Sequence, residues 1–77
     1  MKSDKELFDL AKQYVMLSEE FKKELPEYEL DEIKKELEGI RDVLFQKGYD
    51  VDKFVYYQQI YKKMTMNEYF EFVKTLN

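Results

Sequence analysis

Neither cysteine nor histidine occurs in this chain of 77 residues. The first absence excludes disulfides, thiol catalysis and thiolate metal sites. The second removes the commonest general base and the commonest nitrogen ligand for a metal. Glycine occurs twice and proline once, too little for a β-rich or disordered chain. No apolar run approaches the roughly 18 residues that a spanning helix needs. Behind Met1 and Lys2 the chain continues Ser3-Asp4-Lys5-Glu6, with no apolar signal core. A cytoplasmic protein is therefore expected, peripheral to a membrane at most.

What remains is charge and aromatic surface. Hydrophobic residues make up 44% and charged residues 39%, enough for a core in a one-domain chain and too polar for a membrane span. The net charge of −4 is unevenly held: residues 1–50 carry 14 acids against 9 bases, residues 51–77 carry 3 against 4. An acidic first half repels nucleic-acid phosphate, so no nucleic-acid partner is expected. Arg41 is the only arginine among 13 basic residues, a lysine bias that fits an AT-rich bacterial coding sequence.

The stretch from Leu30 to Leu44 reads as the organising element. Leu30, Ile33, Leu37, Ile40 and Leu44 step 3, 4, 3, 4, a thin apolar line on a helix with almost everything between them charged. Such a helix needs a partner helix. In front of it, Leu7, Leu10, Tyr14, Leu17 and Phe21 repeat that spacing beside a second stripe of Phe8, Ala11 and Val15. That face is too wide for one neighbour, so helix 1 should meet helix 2 on one side and the C-terminal helices on the other.

Helix boundaries follow from caps and breakers. Ser3 with Glu6 has the form of a capping box, and Pro26 ends helix 1, giving about 4–25. Helix 2 is predicted over about 29–47, with Glu27 and Glu29 near its positive end and Lys47-Gly48 as its stop. Gly39 inside it costs about 1 kcal/mol relative to alanine and suggests that a neighbouring backbone or ring comes close. Asp50 caps helix 3, about 51–63, with Phe54, Tyr57, Ile60, Tyr61 and Met64 on one arc. Thr65 with Glu68 forms a second capping box, and Met64 with Tyr69 a hydrophobic staple. Helix 4, about 66–76, places Met66, Tyr69, Phe70, Phe72, Val73 and Leu76 on one side. The expectation is all-α: a single domain, a small antiparallel four-helix bundle in which a long helical hairpin is closed by two short helices.

Chemistry-bearing patterns are few. Glu19-Glu20, Glu27 with Glu29, and Asp31-Glu32 sit among lysines at helix-surface positions, where nothing shifts a carboxylate toward acid–base work. Asp50-Val51-Asp52 opens like a calcium loop, but Val55 and Tyr61 stand where that loop needs glycine and glutamate. Ser3, Ser18, Thr65 and Thr75 have no histidine to activate them. Helices 3 and 4 could imitate a helix-turn-helix, yet helix 4 offers only Asn67 and Lys74 on its outer face to read bases. No enzyme, metal or cofactor is expected, and a nucleic-acid-associated regulator is a distant alternative.

The aromatics point elsewhere. Thirteen residues are Phe or Tyr, nine of them between Phe45 and Phe72. Phe54, Tyr57, Tyr61, Tyr69, Phe70 and Phe72 read as core rings that fill a small interior. Met16, Tyr49, Val55 and Tyr56 fall off the buried arcs or in a loop, and such a cluster resembles the anchor of a protein interface. The reading is a non-enzymatic protein-interaction module, regulatory or inhibitory, whose partner is another protein. Two 3, 4 seams could equally close a hairpin or a dimer, so a homodimer stays open.

From Leu37 onward the order of elements also resembles a known family. The run Leu44-Phe45-Gln46-Lys47-Gly48-Tyr49, the tyrosine-rich third helix and Met64-Thr65-Met66-Asn67-Glu68-Tyr69 are similar to the pediocin-like bacteriocin immunity proteins. The resemblance covers about half the chain. It implies a small cytoplasmic four-helix bundle that protects a producer cell, acting through a bacteriocin and its membrane sugar-permease receptor. It assigns no site residue.

Overall fold

The computed structural model describes residues 4–76, and these form four helices and no strand: α1 Asp4–Phe21, α2 Glu27–Lys47, α3 Val51–Lys63 and α4 Met66–Thr75. The proposed Ser3 cap lies outside the described residues. The chain is all-helical, and α1 packs against both α2 and α3.

Helix α1 ends four residues earlier than expected. Past Phe21 the sequence Lys22-Lys23-Glu24 has no apolar side chain to bury. The chain tightens instead, with the amides of Lys22 and Lys23 donating to the carbonyls of Glu19 and Glu20 at 3.3 and 3.0 Å. Helix α2 starts two residues earlier than expected. Pro26 (φ −57°, ψ 149°) is its N-cap, and the Pro26 carbonyl accepts from the amides of Glu29 and Leu30 at 3.0 and 3.1 Å. A proline needs no amide partner there, so one residue closes off the loop and begins the next helix. The remaining boundaries fall where capping chemistry puts them. Asp50 accepts from the amides of Asp52 and Lys53, and Thr65 with Glu68 makes a complete capping box.

The core sits on α1. Leu7, Phe8, Ala11 and Val15 are buried, joined by Ile40 and Leu44 of α2 and by Phe54 and Tyr57 of α3. Phe8 is its centre: the ring centroids of Tyr57, Tyr61, Tyr69 and Phe72 lie 5.4, 6.3, 6.0 and 5.0 Å from its own. The organising role therefore belongs to α1 and not to the Leu30–Leu44 seam, of which only Ile40 and Leu44 are buried. Leu30, Ile33 and Leu37 are half-covered, because the contacts of α3 and α4 gather on the other half of α1.

Three further expectations are corrected. Phe70 and Met66 are 56% and 70% exposed, since the line Tyr69, Phe72, Val73 and Leu76 faces the core and these two stand at its edge. Phe21, the last residue of α1, is exposed as well. Gly39 accommodates no close neighbour: a Cβ built there meets nothing within 4 Å.

Two outcomes follow. Gly39→Ala should stabilise the chain by about 1 kcal/mol, since alanine is the better helix former and the space is open. Phe8→Ala should cost about 3–5 kcal/mol, a large part of the total stability of so small a chain. Urea denaturation followed by circular dichroism measures both.

Candidate interaction groove

The reversal between α2 and α3 takes three residues. Gly48 adopts the left-handed conformation (φ 66°), the only positive φ among the described residues. The amide of Gly48 donates to the Phe45 carbonyl at 3.2 Å and that of Tyr49 to the Leu44 carbonyl at 2.9 Å, the bonding of a Schellman motif. A residue with a Cβ would be strained there, which is why Lys47-Gly48 is followed so directly by the Asp50 cap.

This tight reversal sets the last turns of α2 beside the first turns of α3 and leaves a groove of about 530 Å³ between them. Tyr14 of α1, Leu44 and Phe54 line it, with Leu44 and Phe54 themselves buried in the core. Its rim is apolar and open: Phe45 is 91% exposed, Val51 62% and Val55 46%. Gln58 and Tyr49 also border it. Arg41 stands on the α2 side, its guanidinium donating to the Tyr14 hydroxyl at 2.7 Å and lying 5.7 Å from that ring. Tyr14 in turn meets Phe54 edge-on at 5.4 Å, so the wall carrying Arg41 is anchored in the core.

The four residues expected to form one binding patch are not brought together. Val55 and Tyr49 both reach this groove. Tyr49 is half-buried and tied down, its hydroxyl donating to Glu6 Oε1 at 2.5 Å, so it is not a free anchor. Met16 is exposed but lines a separate groove between α1 and α2, beside Leu17, Ile40 and Val43. Tyr56 is exposed, rests near the Tyr57 ring and borders neither groove. The residues missed are Phe45 and Val51. The signal for Phe45 is present in the sequence: it sits 100° around the helix from Leu44, off the Leu30–Leu44 seam.

Two carboxylates from the first turn of α1 hold this end of the molecule. Glu6 accepts from Lys47 Nζ at 2.7 Å as well as from Tyr49. Asp4 accepts from Lys53 Nζ at 2.8 Å and from the Tyr57 hydroxyl at 3.4 Å. The bonds from Lys47 and Tyr49 hold the Glu6 carboxyl below the usual carboxylate range, and the bond from Lys53 does the same for Asp4. The Glu6 bond, with some desolvation, pushes the Tyr49 phenol up to about 12. Each pairing stabilises the charged carboxylate; a general acid needs the opposite shift. Among the described residues no three acidic side chains gather as a metal set, and no helix is long and apolar enough to cross a membrane.

No protein-family model, curated protein or solved structure matches this chain. The resemblance to bacteriocin immunity proteins thus rests on the residues quoted for it alone.

The shifted groups fix the signs of a pH profile. Asp4 and Glu6 bind protons more weakly folded than unfolded, so their contribution is full above their ordinary values of 3.8 and 4.5 and is lost as pH falls below them. Tyr49 binds its proton more tightly folded, so its contribution is full below pH 10.0 and is lost as pH rises toward about 12. Glu6→Gln should flatten both limbs of a plot of urea midpoint against pH.

Proposed function

We propose that this chain is a non-enzymatic protein-interaction module that docks a partner protein in the groove between α2 and α3. The observation that carries the reading is the rim of Phe45, Val51 and Val55, three large apolar side chains left in water around a groove lined by core residues. A surface of this kind, apolar at its centre with an aromatic ring standing free, suits an interface anchor. Burying a ring such as that of Phe45 is worth about 1.5–3 kcal/mol, or roughly ten- to a hundredfold in affinity. Nothing in the monomer gains from leaving it out.

The scaffold we propose for this module is an antiparallel four-helix bundle. The pairings Glu6 with Lys47 and Tyr14 with Arg41 support that direction, since residues further along α1 meet residues further back along α2.

Phe45→Ser should leave thermal stability within about 0.5 kcal/mol of the parent, because the ring is already in water. The same change should abolish partner capture. Affinity capture with the parent, Phe45→Ser and Tyr56→Ser side by side tests the reading. A protein retained by the parent and by Tyr56→Ser but lost by Phe45→Ser supports it. Identical retention by all three overturns the groove as the docking surface.

A further inference from the structure

Among the described residues Arg41 is the only charged one lining the groove. It is also the only arginine in the chain, and it makes no ion pair within 4 Å among the described residues, although acids outnumber bases. Among the described residues its one side-chain hydrogen bond goes to the Tyr14 hydroxyl. That bond, together with the nearby ring, holds the guanidinium at the groove wall through one of its five N–H donors. The cation therefore shares the groove with Phe45, Leu44 and Val55, with no carboxylate within 4 Å among the described residues and Glu38 acting on it only from further off.

Resting on the reading of the groove as a docking site, we propose that its occupant is a peptide segment in which a carboxylate side chain adjoins a large apolar one. The apolar side chain enters between Phe45 and Val55, and the carboxylate takes a bidentate pair of hydrogen bonds from Arg41. The planar fork of arginine matches a carboxylate in a way the ammonium of lysine does not, so the residue type fits the task.

The chain's overall charge of −4 opposes an acidic ligand, but only weakly at contact distance. At physiological ionic strength charges separated by more than about 8 Å are largely screened, whereas a pair formed in a partly desolvated groove is screened much less. The acidic flanks of α2, Glu38 and Asp42 beside Arg41, count more heavily against a second copy of this chain. A twofold contact centred on Arg41 would gather those acids from both copies at one seam, four carboxylates against two guanidinium groups.

The test uses the nitrogen-labelled chain and two synthetic peptides, acetyl-Leu-Phe-Glu-amide and its neutral counterpart acetyl-Leu-Phe-Gln-amide, titrated by two-dimensional NMR. The expected result is displacement of the amide resonances of Phe45, Val51 and Val55 and of the Arg41 side chain. The glutamate peptide should bind about tenfold more tightly than the glutamine peptide. Arg41→Gln should erase most of that difference by weakening the glutamate peptide more than the glutamine peptide, and Arg41→Lys should restore only part of it. Circular dichroism of both variants confirms that they fold. Equal affinity for the two peptides overturns the carboxylate while the groove stands. Peptide binding whose shifts avoid the groove, or no shift with either peptide at millimolar concentration, overturns the groove reading with it. Concentration-dependent dimerisation in sedimentation, lost in Arg41→Gln, would give the groove to a second copy and overturn the peptide.

Discussion

The ring of Phe8 is the contact on which the rest depends. It is 1% exposed and holds rings from two helices at once, Tyr57 and Tyr61 of α3 and Tyr69 and Phe72 of α4. A chain of 77 residues has roughly 4–12 kcal/mol of stability, and one well-packed phenylalanine accounts for about 3–5 of it. Helix α4 has no fully buried residue, so its place is set largely by partly buried side chains gathered at this ring. Mixed geometries, Tyr57 edge-on at 89°, Phe72 tilted at 50° and Tyr69 stacked at 28°, let four rings share one neighbour.

Gathering the aromatics around Phe8 has a consequence at a distance. Large rings concentrate burial near the first half of α1, and a chain this short cannot cover everything else. The far end of the α1–α2 pair, with Phe21, Leu30, Ile33 and Leu37, is only partly covered or open. At the near end the tight turn through Gly48 brings α3 alongside α2 without filling the space between them. The groove beside Phe45 and Arg41 is that unfilled space. Exposed ion pairs such as Glu6 with Lys47 and Asp4 with Lys53 contribute modestly to stability. Their larger effect is on direction, because each ties the first turn of α1 to the helix ends that frame the groove.

Much of this was legible along the chain. Alternating 3 and 4 steps gave the first two helices and caps with shared apolar arcs the last two, and Asp50, Thr65 with Glu68, and Gly48 marked boundaries that the structure keeps. Periodicity was a poorer guide to burial. It put Phe70 and Met66 in the core and left Phe45 unremarked, because a helical wheel orders residues around one axis and carries no information about how far the neighbouring helix extends. Tyr49 failed for a related reason: its hydroxyl partner, Glu6, lies 43 positions away. Gly39 suggested a close neighbour that is absent, since a glycine reports permitted space and not its occupant.

The sequence by itself determined the helices, the caps at Gly48, Asp50 and Thr65, and the lack of histidine and cysteine, because each depends on residues within a turn or two of one another or on composition alone. Only the tertiary structure decided that α1 is the hub, that Phe45, Val51 and Val55 ring one groove, and that Arg41 stands beside it with no ion pair within 4 Å among the described residues. Those facts depend on which helix face meets which. That choice is made by long-range packing of rings around Phe8, among residues more than 45 positions apart, and no local pattern encodes it.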